Sequence, residues 1–303
     1  MLTDPPSPLL PPALAVDPVP DVNPVPDRDQ AADGERAPDT DRAAGIDIRN
    51  FRDVGGHPTR DGGRLRRGLL YRSTDLARLE PATAEALADL GIRTVFDLRT
   101  QAERELWPEV DRLPPTVDYV VADVLADAPD GTPAQFLPLL SDPRLIRERF
   151  GGGRSDRLFL GRYREFINLA SARCAYHRFL SDLAAAGRLP AVVHCTTGKD
   201  RTGWAVAMLQ LLLGVAEADV VTDYLASNLE MAPLHRELAE RFGLGDDLEL
   251  VAPMMTVRAA YLDAALDEMR RGFGTLDGYI EAGLAIGPAT RRRLVETFVE
   301  VAA

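Results

Sequence analysis

The chain has 303 residues, and a hydrophobic content of 46% is enough for the core of a globular enzyme. Its net charge of -12 excludes a general binder of nucleic acid or anionic membrane, because such partners require a broad basic surface. Two cysteines, Cys174 and Cys195, are too few for a disulfide framework and favour a reducing compartment. We therefore expect a cytoplasmic protein, although export without a recognisable signal peptide stays open.

The first 44 residues differ in composition from the rest of the chain. They hold ten of the 23 prolines, and nine acidic residues against three arginines. Such a segment cannot bury a core, so we expect a disordered, acidic, proline-rich tail over residues 1–44 and one domain over residues 45–303. The longest apolar run falls short of the ~20 residues that a membrane-spanning helix needs, so we expect no stable membrane insertion.

Apolar periodicity begins at Ile46 and alternates between strand and helix patterns. Short apolar runs predict strands over 68–73, 92–98, 117–122 and 189–194, with helices over 81–90 and 157–186 between them. Further helices are predicted over 203–213, 217–228, 232–242, 252–271 and 287–302, with glycines as breaks. The order of elements indicates an α/β domain with a helical C-terminal half.

The segment that carries chemistry is HCTTGKDRTG at 194–203, between a predicted strand and a predicted helix. The backbone N–H groups of such a loop, with the N-terminus of the next helix, form a concave site for a phosphate or sulfate dianion. The same dipoles and the Arg201 guanidinium favour the thiolate form of Cys195, which is then a nucleophile at neutral pH. Arg201 can hold two phosphoryl oxygens in its planar fork. The residues expected to bind the substrate are Thr196, Thr197, Gly198, Lys199 and Thr202, the last through a hydroxyl that donates to the departing sulfur.

Lys199 is the only lysine beside 34 arginines. Its place inside the loop suggests a compact point charge beside the anion. The Gly198-Lys199 pair does not indicate a nucleotide-binding loop, because that motif requires a glycine at position 193 and a hydroxyl residue at position 200. Those positions hold Val193 and Asp200.

At these residues the chain resembles the protein tyrosine phosphatase superfamily, whose pattern is His-Cys, five residues, Arg and Ser or Thr. The segments NFRDVGG (50–56), YRS (71–73) and FDLR (96–99) occur in the order typical of a bacterial group that includes tyrosine and phosphoinositide phosphatases. The resemblance implies a tyrosine phosphatase-like α/β fold with a central, mostly parallel sheet flanked by helices. It also implies an enzyme that works without a metal or other cofactor.

The reaction implied by the resemblance is hydrolysis of phosphotyrosine, extended to phosphoserine, phosphothreonine or phosphoinositide, through a phosphate ester of Cys195. Phosphorylated protein or phosphoinositide would be the partner. Two alternatives stay open: phosphoinositide hydrolysis as the main activity, and a module that recognises phosphate without turnover. Sulfurtransferase and arsenate reductase chemistry also uses a cysteine in an anion loop, but would not require the extended helical C-terminus.

The general acid that protonates the leaving group is open between three aspartates. Larger relatives supply it from a Trp-Pro-Asp loop, which the segment Trp107-Pro108-Glu109 imitates. In the bacterial group the acid follows the strand after the DLR segment, so we rank Asp127 first and Asp123 second. Asp200, within the loop, is third, as a proton shuttle or a group that orients Arg201.

The remaining polar residues are expected to support the site. His194 should hydrogen-bond the loop rather than act as a base, and the other histidines lack the spacing of a metal site. A carboxylate of the FDLR region, Asp97 or Glu103, could orient Arg201. We expect a local turn network for Arg52 and Asp53, a core position for Cys174, and a lid over the pocket from the region 231–255.

Overall fold

The computed structural model describes residues 46–128 and 136–301. The tail predicted over residues 1–44 lies outside these residues. Five strands form one sheet in the order β1 (Arg52–Asp53), β3 (Leu70–Ser73), β6 (Ala191–His194), β4 (Thr94–Asp97) and β5 (Asp118–Val121). Strand β1 is antiparallel to β3, and the other pairs are parallel. A second sheet pairs β2 (Arg64–Leu65) with β7 (Val299–Glu300).

The helices flank the sheet and fill the C-terminal half, so the α/β fold expected from the resemblance is confirmed. They are α1 (Pro81–Asp89), α2 (Gln101–Leu106), α3 (Pro143–Phe150), α4 (Arg154–Asn168), α5 (Ala170–Leu183), α6 (Arg201–Leu212), α7 (Glu217–Phe242), α8 (Leu248–Met255), α9 (Ala259–Phe273), α10 (Leu276–Gly278) and α11 (Pro288–Phe298). Short 3₁₀ turns lie at Val110–Arg112, Leu137–Ser141 and Gly245–Asp247, and a π-helical turn at Tyr279–Gly283. Within the described ranges, no helix combines the length and apolar character needed to cross a bilayer.

The central strands are buried on both faces, as parallel strands covered by helices usually are. Alternate residues of β6 enter different cores: Val193 packs in the cluster that includes Phe96 and Phe179, and Val192 in the cluster that includes Val95. Because β6 lies between β3 and β4, the chain leaves it at the middle of the sheet's carboxyl edge. In open parallel sheets this is where ligands bind.

The predicted helix over 157–186 is two helices, because Leu169 between α4 and α5 is extended (φ −62°, ψ 138°). Side chains from elsewhere in the chain stabilise this break. Asn168 donates to Glu268 Oε1 at 2.7 Å, and the Ser171 amide donates to Asp127 Oδ2 at 3.1 Å. The local sequence cannot reveal partners so distant in the chain.

Three helix boundaries in the C-terminal half also differ from prediction. The helices expected at 217–228 and 232–242 are one 26-residue helix, α7, which contains Pro233. The single helix expected over 252–271 is divided at 256–258. There the Asn228 side chain bonds both backbone groups of Val257: Asn228 Nδ2 donates to Val257 O at 2.8 Å, and the Val257 N–H donates to Asn228 Oδ1 at 2.7 Å. Gly272 does not end a helix; α9 continues to Phe273 and ends at Gly274 (φ 76°).

A third core lies apart from the two that cover the sheet. Residues from the segment 136–150 pack against residues from 238–255. We call the segments 136–150 and 232–255 together the cap. The fully buried members are Leu140, Ile146, Phe150, Leu244, Val251 and Met255. Arg147 joins the two halves through a two-bond contact with Asp247, at 2.8 and 2.9 Å. The cap is therefore a small packed layer with its own interior.

Candidate active site

The phosphate loop runs from Cys195, just after β6, to Asp200, just before α6. Cys195 is buried, and Arg201 is the first residue of the helix. Gly198 has φ 65°, and a Cβ at this position would lie 2.0 Å from the Ser73 carbonyl oxygen. A side chain therefore cannot be accommodated here, which explains the glycine in the motif.

Four successive carbonyl groups of the loop are held from outside. Their partners come from three segments of the chain: His194 Nδ1 with Cys195 O (3.1 Å), the Asp75 amide with Thr196 O (3.2 Å), Asn50 Nδ2 with Thr197 O (3.2 Å), and Arg72 Nη2 with Gly198 O (2.7 Å). In a trans peptide the N–H points away from the C=O, so the N–H groups of residues 196–199 face the opposite side. Within the described chain, no acceptor is found for these four amides. They form a concave set of donors suited to an anion.

Arg201 is fixed by Glu103, as the sequence suggested. Nη1 donates to Glu103 Oε2 and Nη2 to Oε1, both at 2.7 Å, and Nη1 also contacts the Leu98 carbonyl at 3.3 Å. Burial alone would raise the pKa of Glu103, but the Arg201 charge and its hydrogen bonds lower that pKa to about 2. The ion pair is thus permanent at physiological pH and sets the direction of the guanidinium.

Glu103 reaches this position through a capping box at the start of α2. Its Oε2 accepts from the Thr100 amide at 2.9 Å, while the Thr100 hydroxyl accepts from the Glu103 amide at 3.3 Å. Its Oε1 also accepts from the Thr196 hydroxyl. One carboxylate therefore caps a helix, holds the arginine and restrains the loop.

His194 supports the loop from the end of β6, as expected. Nδ1 contacts Cys195 O, and Nε2 lies 2.8 Å from Glu109 Oε1. Both neighbours are acceptors, but the Nε2–Glu109 contact lacks hydrogen-bond geometry, so the carboxylate acts on the ring mainly through its charge. Burial lowers the pKa of His194, but the Glu109 and Asp97 charges outweigh it and raise the pKa to about 9. Glu109, the last residue of the Trp-Pro-Glu triplet, is thus buried against His194 and does not line the cavity.

Asp97, Glu109 and His194 place ligand atoms within 4.8 Å of one another, a spacing that a metal ion could use. The Arg99 guanidinium already pairs with both carboxylates: its Nη2 lies 2.8 Å from Asp97 Oδ2 and 2.9 Å from Glu109 Oε2. We interpret the cluster as a buried ion-pair network behind the loop. Asp97 and Arg99 pair with each other, so it is Glu103 that orients Arg201.

A cavity of about 480 Å³ lies between the loop and the cap. Apolar side chains of the cap form much of its wall, and Thr196, Thr197, Asp200 and Arg201 lie at its floor. Cationic side chains on the lining are Arg49, Arg78, Arg162 and Arg241. His235 also lines it, and burial, aided by the Lys199 charge, lowers the pKa of this histidine to about 4.

Of the three candidate acids, the structure brings only Asp200 to the cavity lining. Asp127, ranked first from the sequence, is exposed and accepts hydrogen bonds from the amide and hydroxyl of Ser171 at the start of α5. Asp123 accepts from the amides of Gln101 and Leu125, at 3.0 and 3.1 Å. Both therefore stabilise local backbone. Their catalytic assignment stays a prediction, and the geometry favours Asp200.

Lys199 is buried beside the loop. Its Nζ donates to both carboxylate oxygens of Asp200, at 2.9 and 2.7 Å, and to the carbonyl of Thr256 at 3.2 Å. It also lies 5.2 Å from the centre of the Phe159 ring. The lysine thus joins the loop to the chain that follows the cap, and its predicted contact with the phosphoryl group stays a prediction. Thr202 Oγ1 is buried without a hydrogen-bond partner among the described residues.

Sequence reasoning missed three parts of this arrangement. Arg52 was expected in a local turn, yet its Nε bonds Asp223 Oδ1 at 3.1 Å across 171 residues. Asp53 does bond locally, to the Gly55 amide at 2.7 Å. The support that Asn50 and Arg72 give to the loop was signalled only by the order of the NFRD and YRS segments. Cys174 is exposed on α5, so its predicted core position is wrong.

Comparison with known proteins agrees with this geometry. A sequence model of the tyrosine phosphatase family matches residues 46–300. The triple specificity protein phosphatase PtpB of Mycobacterium tuberculosis is 34% identical over 80% of this chain and 95% of its own. A candidate tyrosine-protein phosphatase of Cupriavidus necator is 34% identical over 81% of this chain and 85% of its own, and a tyrosine-protein phosphatase of Nostoc commune is 26% identical over 70% and 68%. With its Cys195–Arg201 loop at the carboxyl edge of the sheet, the chain belongs to the tyrosine phosphatase family.

Proposed function

We propose that this phosphatase hydrolyses phosphotyrosine and related phosphomonoesters through a phosphate ester of Cys195. The observation that carries the proposal is the set of four outward-held carbonyl groups. Each carbonyl held outward leaves the N–H of its peptide on the other face of the loop, so the amides of residues 196–199 are available to an anion beside a buried cysteine and a fixed arginine. A preorganised set of donors of this kind stabilises the charge of a transferring phosphoryl group without reorganisation.

In the first step the Cys195 thiolate attacks phosphorus. An S–P bond forms while the bond from phosphorus to the ester oxygen breaks. The loop amides and the edge of the Arg201 guanidinium that Glu103 leaves free, Nε and the second N–H of Nη2, hold the non-bridging oxygens, so catalysis consists mainly of positioning and charge stabilisation. The leaving oxygen takes a proton from Asp200, which lies on the cavity floor.

In the second step water attacks the phosphorus of the cysteinyl phosphate. Asp200, now ionised, accepts a proton from that water, the S–P bond breaks, and inorganic phosphate and the thiolate are released. The Thr202 hydroxyl, buried without a partner among the described residues, is available to donate to the departing sulfur. Atoms and charge balance with these residues and water alone.

The contacts of Asp200 support its role as the acid and impose a condition on it. Tyr163 Oη donates to Asp200 Oδ1 at 3.0 Å and fixes the carboxylate at the cavity floor. Lys199 binds both oxygens of the same carboxylate. Because Lys199 occupies both carboxylate oxygens, its contact with Asp200 must break before that carboxyl group reaches the leaving oxygen.

The cavity is larger than a phenyl phosphate needs and combines an apolar wall with arginines. Such a site accepts an aromatic phosphoamino acid and leaves room for further anionic groups. The relative from M. tuberculosis is named a triple specificity phosphatase, which agrees with a broad site. Phosphotyrosine protein is our first substrate and phosphoinositide our second.

The proposed activity is tested by turnover of p-nitrophenyl phosphate by the purified full chain with a metal chelator present. We expect turnover with the chelator, and Cys195→Ser should retain phosphate binding but lose turnover, because a serine hydroxyl is not ionised at neutral pH. Activity that the chelator abolishes, or Cys195→Ser activity above about a tenth of the wild-type value, would contradict the mechanism.

The assignment of the acid is tested with two aryl phosphates that differ in leaving group. Asp200→Asn should slow the ester of a poor leaving group far more than p-nitrophenyl phosphate, which scarcely needs protonation. Asp123→Asn and Asp127→Asn are the matched variants. A selective loss in either of them, with none in Asp200→Asn, would move the assignment to that residue.

A further inference from the structure

Two arginines lie side by side beneath the phosphate loop, and neither lines the cavity. Arg52 of β1 and Arg72 of β3 are direct cross-strand partners in an antiparallel pair. Both residues are buried, and Arg72 is only 1% exposed. Like charges directly opposite each other destabilise a sheet, and burial adds a desolvation cost, so their presence requires a compensating partner or a function.

Asp223 of α7 is the compensating partner. Its Oδ1 lies 3.1 Å from Arg52 Nε and its Oδ2 lies 3.4 Å from Arg72 Nη1. Ser227 Oγ, one turn further along α7, accepts from both guanidinium groups at 3.3 Å. Burial alone would raise the pKa of Asp223, but the charges of Arg52 and Arg72 lower it to about 2. One carboxylate thus fixes two arginines.

The cluster retains one excess positive charge. Burial, with the charge of Arg52, lowers the pKa of Arg72 to about 10, so this guanidinium stays protonated near neutral pH. The charge therefore persists beneath the loop, where Arg72 Nη2 contacts Gly198 O.

The same two arginines hold the loop peptides. Arg72 Nη2 donates to Gly198 O at 2.7 Å, which turns the Lys199 amide toward the anion site. Arg52 Nη1 donates to Asn50 Oδ1, and Asn50 Nδ2 holds Thr197 O at 3.2 Å. Two of the four outward-held carbonyls therefore depend on Asp223 through these arginines.

The cluster also accounts for Gly203, the last residue of the motif. A Cβ on Gly203 would lie 3.0 Å from the Tyr224 ring and 3.7 Å from Arg72 Nη2. The absence of a side chain at Gly203 therefore lets α6 pack closely against α7 and leaves room for the Arg72 side chain. The segments NFRD, YRS and HCTTGKDRTG meet at this one point.

We propose that Arg72, fixed by Asp223, is a positioning residue for phosphoryl transfer: through its hydrogen bond to Gly198 O it orients the Gly198–Lys199 peptide, and it places a buried positive charge beneath the loop. This inference rests on the proposed phosphatase activity. It adds to that activity a set of residues that act through the loop without contacting the substrate.

The test compares Arg72→Met and Asp223→Asn with the parent, all in a Cys174→Ser background so that Cys195 is the only thiol. The readouts are kcat and KM for p-nitrophenyl phosphate, the pH profile of iodoacetamide alkylation of Cys195, and thermal unfolding. Arg66→Met is the control, because Arg66 also donates to backbone carbonyls, those of Glu296 and Thr297, but not to the loop. The parent must first turn over the substrate; if it does not, the proposed function fails before this inference is tested.

Arg72→Met should lower kcat about ten- to hundred-fold and raise the alkylation midpoint by about one pH unit, because a charge and a charge-assisted hydrogen bond are lost. Asp223→Asn keeps both arginine charges but loosens them, so kcat should fall without a rise in the midpoint. Arg66→Met should match the parent. Parental kcat and midpoint in a folded Arg72→Met protein would overturn the proposal. The proposal would also be overturned if kcat fell only because the protein no longer unfolded cooperatively and the alkylation midpoint did not move. That pattern would assign Arg72 a purely structural role.

Discussion

Glu103 shows how much of the site depends on single side chains that face away from the substrate. Its carboxylate bonds the Thr100 amide, the Thr196 hydroxyl and both terminal nitrogens of Arg201. Arg201 is itself buried, so its charge has no solvent to replace a lost partner. Breaking one side of a buried ion pair leaves the other charge uncompensated.

We predict that Glu103→Gln lowers kcat/KM for p-nitrophenyl phosphate about ten- to hundred-fold, since one charge-assisted contact is worth about 1.5–3 kcal/mol. It should also lower the melting temperature. Glu105→Gln is the matched control, because Glu105 lies on the same helix and is exposed. A Glu103→Gln enzyme with parental kcat/KM would show that Arg201 is held by other contacts.

The protonated state of His194 predicts a pH dependence of stability. Its folded-state pKa is about 9, above the ~6.5 of an unfolded chain. Its contribution to the free energy of unfolding is therefore fully present below about pH 6.5 and is lost as the pH rises through the folded-state pKa. Urea unfolding between these limits should show stability falling with pH.

Glu109→Gln provides the comparison for this pH effect, because it removes the charge that contributes most to the raised pKa of His194. The slope of the unfolding free energy against pH should be smaller in the variant than in the parent. Equal slopes would mean that His194 is neutral in the folded protein. The slopes are compared instead of the unfolding free energies themselves, because the substitution also disturbs the contact of Glu109 with the Leu76 amide and so changes stability at every pH.

At the scale of elements, the link between α8 and α9 is stabilised by one side chain of another helix. Asn228 of α7 bonds the N–H and the C=O of Val257, and Lys199 of the loop bonds the carbonyl of Thr256. The chain therefore leaves the cap at a point connected to both the long helix and the phosphate loop. Restraints of this kind set how easily the cap moves.

Asn228→Ala should make the amides of residues 248–257 exchange with solvent faster, because two hydrogen bonds to buried backbone are lost. Hydrogen exchange read by mass spectrometry would measure this. Thr222→Ala is the control, since Thr222 lies on the same helix and bonds only the Ala218 carbonyl within it. Unchanged exchange at 248–257 would show that cap packing alone holds the link.

Elements that depend on local sequence patterns agree with the structure better than elements that depend on contacts between distant residues. Strands β3 to β6 and the loop follow local patterns, and each was located to within a few residues. The breaks at Leu169 and at 256–258 depend on Glu268, Asp127 and Asn228, which lie far away in the chain. Local periodicity has no access to such contacts.

At the scale of the whole molecule, the fold brings residues together that the sequence separates widely. Arg201 and Glu103 are 98 positions apart, and Arg52 and Asp223 are 171 apart. The nucleophile and the arginine were predictable because one loop carries both. The residues that orient the loop come from separate elements: the order of the short motifs pointed to those of β1 and β3, the FDLR region to Glu103 of α2, and no local pattern to Asp223 of α7.

We propose Cys195 as the nucleophile of the phosphate loop, and rapid quenching during turnover tests this assignment most directly. The full chain is mixed with p-nitrophenyl phosphate, quenched and digested, and the peptides with Cys195 and Cys174 are compared by mass spectrometry. We predict a transient phosphoryl group on Cys195 and none on the exposed Cys174, which lacks an anion loop. Turnover with Cys195 unmodified and the phosphoryl group on another residue would contradict the account.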